Sequence, residues 1–303
     1  FGTVFKDGED VLSPDSMNVA NISVLPLGDE LLALWEGGSA TRLDPRTLET
    51  RGIKTWRADL AGAPFSAHPR IEPDGTVWNF GVHAHRGLLL LYEIAPDGAL
   101  RRADALPISD MPLIHDFAVT EHHLVFLLPP LVYDPQRRAA GASILDAHVW
   151  RPDKGMRALV IDKQDWKRQQ WMELPTGFLF HIGNAWEEAT AGGPVIHLDC
   201  ALAADATSLL KDTRELMRAR RVGTAGPRLT VVTLQLRTGQ ATQADLGIEA
   251  EFPSIDPRRV GRRHRHVIHA TNTNGGLPVW SAVASTQVET GASQSHRYGP
   301  HAM

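Results

Sequence analysis

Apolar runs alternate with tight turns in Pro69-Arg-Ile-Glu-Pro-Asp-Gly-Thr-Val-Trp-Asn-Phe80 and in the Leu88-Leu-Leu-Leu-Tyr-Glu93 run that follows it. The turn Pro73-Asp-Gly75 separates the run 69–71 from the run 76–80, and Asp97-Gly98 follows the run 88–93. Short runs of aliphatic, aromatic and β-branched residues bounded by Gly, Pro and Asp are typical of antiparallel strands joined by short loops. This stretch therefore predicts a strand–turn–strand meander.

The same rhythm extends along most of the chain. Before the opening stretch, Gly28-Asp29 separates the runs 21–25 and 31–35. After it, comparable short runs return along the chain, some of them about 10 residues apart, as in all-β proteins. These later runs are 114–119, 124–128, 148–150, 158–161, 177–182, 195–198, 229–236 and 267–270. Ala203–Arg220 is the exception, because its Leu and Met residues have near-helical spacing, and it predicts one inserted surface helix.

Many strands without long helices restrict the fold to a sandwich, a large barrel or a propeller. Repetition over 303 residues favours the propeller, which also removes exposed sheet edges. No linker-like segment divides the chain, so we expect a single all-β domain over residues 1–303.

Bulk properties exclude several classes of protein. A net charge of −4 and an isoelectric point near 6.4 do not favour a nucleic-acid partner. The single cysteine, Cys200, excludes an internal disulfide framework. The longest apolar run, Leu124–Val132, contains two prolines and is too short to span a bilayer.

Three of the 14 histidines stand within apolar strand-like segments. His68 precedes Pro69, His115 follows Met111-Pro-Leu-Ile114, and His181 ends Gly177-Phe-Leu-Phe180. A polar ring in such a setting requires a partner. The separations of 47 and 66 residues suit ligands from different sheets that converge on a propeller axis. From the residues alone, one shared metal site and separate packing roles both remain open.

Five blocks of sequence follow one another in the order of a known family. Three contain the histidines: Phe65–Gly81, Ile114-His-Asp-Phe117 with the residues to Phe126, and Phe180-His-Ile-Gly-Asn-Ala-Trp-Glu-Glu188. The other two are residues 31–50 and Glu251-Phe-Pro-Ser-Ile-Asp-Pro-Arg258. Together they resemble the carotenoid cleavage oxygenases, a family of carotenoid, apocarotenoid and lignostilbene dioxygenases.

The resemblance implies a seven-bladed β-propeller, here incomplete, with one Fe(II) ion on its axis. It implies His68, His115 and His181 as three of four histidine ligands, with the fourth beyond Met303. Glu251 matches a carboxylate that accepts a hydrogen bond from the far ring nitrogen of a ligand, which fixes the tautomer of that ligand. We therefore expect the chain to be a fragment of the propeller that lacks both ends.

The activity implied is O₂-dependent scission of a carbon–carbon double bond into two carbonyl products. The partners would be O₂ and a small apolar alkene of the apocarotenoid type. Hydroxystilbene cleavers carry a lysine after Leu32-Ala-Leu34, where this chain has Trp35. Tryptophan cannot pair with a phenolate but can line a tunnel for a polyene, or serve only in packing. We expect a cytoplasmic protein that contacts membranes peripherally to take up its substrate.

Other hypotheses for the function remain open from the sequence. The chain could cleave hydroxystilbenes, act as an isomerohydrolase of retinoid esters, or be a non-catalytic or inactive propeller. A calcium-dependent hydrolase is disfavoured because calcium requires clustered oxygen ligands rather than histidines.

Overall fold

The computed structural model describes residues 14–218, 220, 225–272 and 280–298. The chain divides into two compact units. The first comprises residues 1–111 and 135–147, and the second comprises residues 112–134 and 148–303. The single domain expected over 1–303 stays a prediction.

The first unit contains two four-stranded antiparallel sheets, each a simple meander. The strands of the first sheet are β1 (Ser23–Leu27), β2 (Glu30–Leu34), β3 (Thr41–Leu43) and β4 (Thr50–Ile53). Those of the second are β5 (Arg70–Ile71), β6 (Val77–His83), β7 (Leu88–Ile94) and β8 (Leu100–Pro107). A short helix, α1 (Pro135–Ala139), also belongs to this unit.

The second unit contains three four-stranded sheets and one two-stranded ribbon. The third sheet has β9 (Ala118–Val119), β10 (His123–Leu128), β13 (Met156–Asp162) and β14 (Gln169–Leu174), and the ribbon has β11 (Leu131–Tyr133) and β12 (His148–Trp150). The fourth sheet has β15 (Phe178–Thr190), β16 (Gly193–Ala203), β17 (Arg228–Gln235) and β18 (Gln240–Glu249). The fifth has β19 (Glu251–Ser254), β20 (His266–Thr271), β21 (Ala282–Gln287) and β22 (Ser293–Arg297).

These sheets confirm the all-β prediction. Four antiparallel strands in sequence order form a propeller blade, and five such sheets lie within the residues that the structure describes. The resemblance implied seven blades, so the observed number is smaller. The strand predicted over 114–119 is confined to β9, because residues 112–117 form a loop that carries His115.

The inserted helix is shorter than predicted. Ala203 is the last residue of β16 rather than the first of a helix, because it pairs with Phe178 in the fourth sheet. A π-helical turn spans Ser208–Asp212 and is followed by α2 (Thr213–Met217), so the helix also ends before Arg220. No helix among the described residues is long and apolar enough to cross a membrane.

Glu187 on β15 ties the fourth sheet to the third. Its carboxylate accepts hydrogen bonds from the His122 amide (3.0 Å), His122 Nδ1 (2.9 Å), His123 Nδ1 (3.0 Å) and Thr120 Oγ1. Burial by itself would raise the pKa of Glu187, but the hydrogen bonds from His123, Thr120 and His122 outweigh it and hold the pKa at about 2. The carboxylate therefore fixes the β9–β10 turn against β15.

We predict that Glu187→Gln lowers the free energy of unfolding by about 1–3 kcal/mol at pH 7, because one amide oxygen replaces a charged acceptor of several bonds. The folded-state pKa lies below the unfolded value, so this stabilisation is present above about pH 4.5 and is lost as the pH falls towards 2. Urea unfolding at pH 7, 4 and 3 measures the difference. Glu188→Gln, at the half-exposed neighbouring position, is the control. Equal losses at pH 7 and 3 would contradict the prediction.

Candidate metal centre

Side chains of the first unit fix the backbone that leads to His68. Three backbone carbonyl groups of this segment accept hydrogen bonds from side chains. Tyr92 Oη donates to the Pro64 carbonyl (2.9 Å), and Asn79 Nδ2 donates to the Ser66 carbonyl (2.8 Å). Ser23 Oγ donates to the Ala67 carbonyl (2.6 Å). Gly81 permits the close approach of this segment to β6, since a Cβ there would overlap the Pro64 carbonyl oxygen. The His68 amide then donates to Ser66 Oγ (3.1 Å). His68 thus starts from a rigid backbone.

His115 lies in the loop before β9 and is only 6% exposed. The next residue, Asp116, is also buried, and its two carboxylate oxygens accept from two backbone amides. Oδ1 accepts from Phe117 (2.8 Å), and Oδ2 accepts from Ile182 (2.8 Å). Because Ile182 follows His181, Asp116 holds the backbones of the two histidines side by side.

His181 lies in an irregular part of β15. Leu179 pairs with Leu202, Ile182 with Cys200, and Asn184 with Asp199, so β15 has two more residues than β16 over this interval. Extra residues of this kind bend a strand and redirect its side chains. The bulge takes His181 out of the regular alternation of the sheet.

The two imidazoles meet through their Nε2 atoms, which are 3.2 Å apart. His181 Nδ1 donates to Glu251 Oε2 at 2.6 Å, which leaves the lone pair of His181 Nε2 directed at His115. Two nitrogens at about 2.1 Å from one metal lie about 3.0 Å apart at a right angle and about 3.4 Å apart at the tetrahedral angle. The observed separation falls between these values, so the pair fits a shared metal ion.

His68, His115 and His181 form a group that could hold a metal ion, with one ligand atom from each residue and all of these atoms within 4.8 Å of one another. Among the described residues this group contains no fourth histidine. Glu251 is 7% exposed and contacts the far nitrogen of His181 rather than joining the group. Such a carboxylate orients the ring and raises its basicity.

Aromatic rings surround the two histidines of the second unit. Phe180 packs edge-on against His115, with 4.9 Å between the ring centroids. Phe252 lies 4.9 Å from His181, has a φ of +52°, and leaves 58% of its surface exposed. A non-glycine residue with positive φ is strained and is found where the surroundings impose it. Phe252 thus presents a partly exposed, apolar ring beside His181.

Trp35 follows β2 in the first unit and is half-buried. Its indole covers the backbone of Gly37 and Gly38, where a Cβ would approach the ring to 2.9 Å and 3.3 Å. This contact accounts for the two glycines and gives Trp35 a packing role. A role in a substrate tunnel stays a prediction.

Sequence reasoning missed two buried acidic residues of the second unit. Asp116 stands beside a predicted ligand, and Asp199 directly follows the predicted strand 195–198, so a carboxylate at the end of a strand-like run was the available signal. His264 lies in a basic stretch of sequence that gives no apolar signal, and it is buried beside Asp199. His266, from the same stretch, is exposed.

Comparisons with known proteins give a consistent family. The family model described as retinal pigment epithelial membrane protein, RPE65, matches residues 2–303. The apocarotenoid-15,15'-oxygenase of Synechocystis sp. is 30% identical over 310 residues, which cover 94% of this chain and 59% of that protein. The chain therefore spans about three fifths of the length of this relative.

Two solved structures have the same fold. One is a cobalt-substituted Synechocystis ACO, with a TM-score of 0.80 and 28% identity over 94% of this chain and 60% of that chain. The other is a Pseudomonas brassicacearum lignostilbene dioxygenase, with a TM-score of 0.81 and 26% identity over 96% of this chain and 63% of that chain.

We predict that Glu251→Ala weakens metal binding by about 10–100-fold, the usual effect of removing the partner of a ligand histidine. Glu251→Gln retains an acceptor oxygen and is expected to lose less. Titration of the metal-free protein with Co²⁺ measures both affinities. Glu173→Ala, at an exposed position of β14, is the control. Wild-type affinity in Glu251→Ala would contradict the assigned role.

Proposed function

Because the chain belongs to the RPE65, or carotenoid cleavage oxygenase, family, we propose that it is the catalytic part of a non-haem iron(II) dioxygenase. The enzyme would cleave a carbon–carbon double bond of an apolar, apocarotenoid-type alkene. One O₂ molecule supplies both oxygen atoms, so the double bond breaks and two carbonyl groups form.

The observation that carries this proposal is the contact between His115 and His181, with Glu251 behind the second ring. His68, His115 and His181 would bind the metal as neutral imidazoles, a ligand type that suits iron among other borderline metals. Glu251 would keep the proton on His181 Nδ1 and so present Nε2 to the metal. Iron(II), when bound, supplies the activation of O₂.

The side chains of this chain would bind and orient rather than act as acids or bases. Asp116 would maintain the spacing of His115 and His181 through the Ile182 amide. Phe180 and Phe252 would exclude water from the histidines and offer apolar contacts to an alkene. Work of this kind is expected of a protein whose metal performs the difficult chemistry.

For the substrate, we propose an apocarotenoid-type polyene in preference to a hydroxystilbene. The relatives include proteins named for each class, an apocarotenoid oxygenase and a lignostilbene dioxygenase. Trp35 favours the polyene, because an indole cannot neutralise a phenolate. Such a substrate partitions into lipid, so we further propose a cytoplasmic enzyme with peripheral membrane contact for uptake.

We predict that the wild-type protein binds about one iron per chain and that His115→Ala and His181→Ala lose most of it, since each removes a ligand nitrogen. Elemental analysis of the purified proteins measures the ratio. His266→Ala, which removes an exposed histidine, should retain the metal. Absence of iron from the wild type, or undiminished iron in the variants, would refute the metal centre.

We predict that wild-type protein cleaves an apocarotenal faster than a hydroxystilbene, and that Trp35→Lys shifts this ratio towards the hydroxystilbene. The products are identified by mass spectrometry under ¹⁸O₂ during short incubations. One ¹⁸O atom in each carbonyl fragment indicates dioxygenation, whereas one unlabelled fragment would show that one of the two oxygen atoms comes from water and would contradict dioxygenation. No product from either substrate would favour a non-catalytic propeller.

A further inference from the structure

The second unit contains a buried carboxylate that forms no hydrogen bond within the described residues. The side chain of Asp199 on β16 is 0% exposed, and neither carboxylate oxygen has a hydrogen-bond partner there. A buried polar group without such a bond is costly, and its retention in a folded protein requires an explanation. The surroundings of the two oxygens supply one.

One oxygen of Asp199 faces the β15 bulge. Asp199 pairs with Asn184 across the sheet, and a Cβ added to Gly183 would overlap Asp199 Oδ2. The carboxyl group therefore fills the space that a side chain at residue 183 would occupy. Since Gly183 lies two residues after His181, this contact determines the path of the strand as it leaves the ligand.

The other oxygen faces His264. The Nε2 atom of His264 lies 2.9 Å from Asp199 Oδ1, although not in line for a hydrogen bond, and the His264 side chain is 3% exposed. His264 Nδ1 is 3.1 Å from Asn184 Nδ2, and the Asn184 side chain also binds Gly261 N (3.0 Å) and Arg262 O (2.9 Å). The loop between β19 and β20 is thereby attached to the same bulge.

Asp199, Asn184 and His264 thus form a network of contacts, and both residues of the His181–Glu251 hydrogen bond lie on elements that this network joins. His181 lies in the bulge, and Glu251 begins β19, the strand that leads into the attached loop. Burial, together with the Asp199 and Glu251 carboxylates, raises the pKa of the Cys200 thiol, which agrees with both acids lying near one residue. Asp199 and His264 contact neither His115 nor His181 in any described hydrogen bond.

On the basis of the proposed metal centre, we infer that Asp199, together with His264, is a positioning residue that sets the bulge of β15 and thereby the direction of His181 towards the metal. Its carboxyl group acts through Gly183 and Asn184 and does not bind the metal. This role explains why an acid without a hydrogen bond is retained at a fully buried position.

The test compares Co²⁺ binding by the metal-free forms of wild type, Asp199→Asn, His264→Gln and Asp245→Asn. The last is the control, because Asp245 is an exposed acid of the same sheet paired with Arg228. Affinity and the ligand-field absorption of bound Co²⁺ are measured, and circular dichroism follows the fold. The absorption band reports ligand geometry, which a purely stabilising residue would not change.

We expect Asp199→Asn to bind Co²⁺ about 10–100-fold more weakly, as for other residues that orient a ligand, with an altered absorption band and an unchanged circular dichroism spectrum. His264→Gln still offers a donor to Asp199 but cannot also contact Asn184, so a smaller change in the same direction is expected. Asp245→Asn should match the wild type.

An Asp199→Asn protein that is folded and has wild-type affinity and absorption would overturn the inference. If that variant does not fold, His264→Gln decides in the same way, because wild-type binding would again overturn the inference. Failure of the wild type to bind Co²⁺ or iron would refute the proposed metal centre itself, which is a distinguishable result.

Discussion

The 3.2 Å contact between His115 and His181 depends on the loss of register in β15. In a regular strand, side chains alternate between the two faces of a sheet, and His181 would be held to one of them. Two additional residues remove this restriction, and the Ile182 amide donates a hydrogen bond to Asp116. The site is thus built by an exception to the sheet rather than by its regular geometry.

Several of the strands that the sequence did not predict share a physical property. They include the last strands of the four-stranded sheets, which are β4, β8, β14, β18 and β22. The half-buried strand β21 was also not predicted. β4 and β22 are exposed at every position, and β8 and β18 at about half of theirs. Because β4, β8, β18 and β22 bury little on either face, their sequences lack the apolar runs on which strand prediction relies. The sheet neighbours form them, through backbone hydrogen bonds.

The histidines and Glu251 could be selected from sequence because each stands in an apolar segment or a recognisable block. Their contacts could not be derived, since residues 115, 181 and 251 belong to three different sheets or to the loop before one of them, and they meet only when those sheets pack together. Asp116, Asp199 and His264 were missed for a related reason. A carboxylate in a predicted strand is expected to be solvated unless its burial is known. A bulge cannot be predicted from sequence, because it does not produce a periodic pattern of apolar residues. Trp35 shows a different limit, because its place in the sequence does not distinguish a packing role from a place in a tunnel, and only the structure shows that its ring covers two glycines.

The histidines of the second unit and Glu251 come from distant parts of the chain, which bears on when a metal ion could bind during folding. His115 precedes the third sheet, His181 lies in the fourth and Glu251 begins the fifth. An unfolded or partly synthesised chain does not hold them together, so the metal ion proposed for this site would bind only after these three sheets have associated. A metal ion would then stabilise the finished assembly by mass action and would not template its nucleus. The supply of the proposed metal would then affect the lifetime of the folded protein more than its rate of folding.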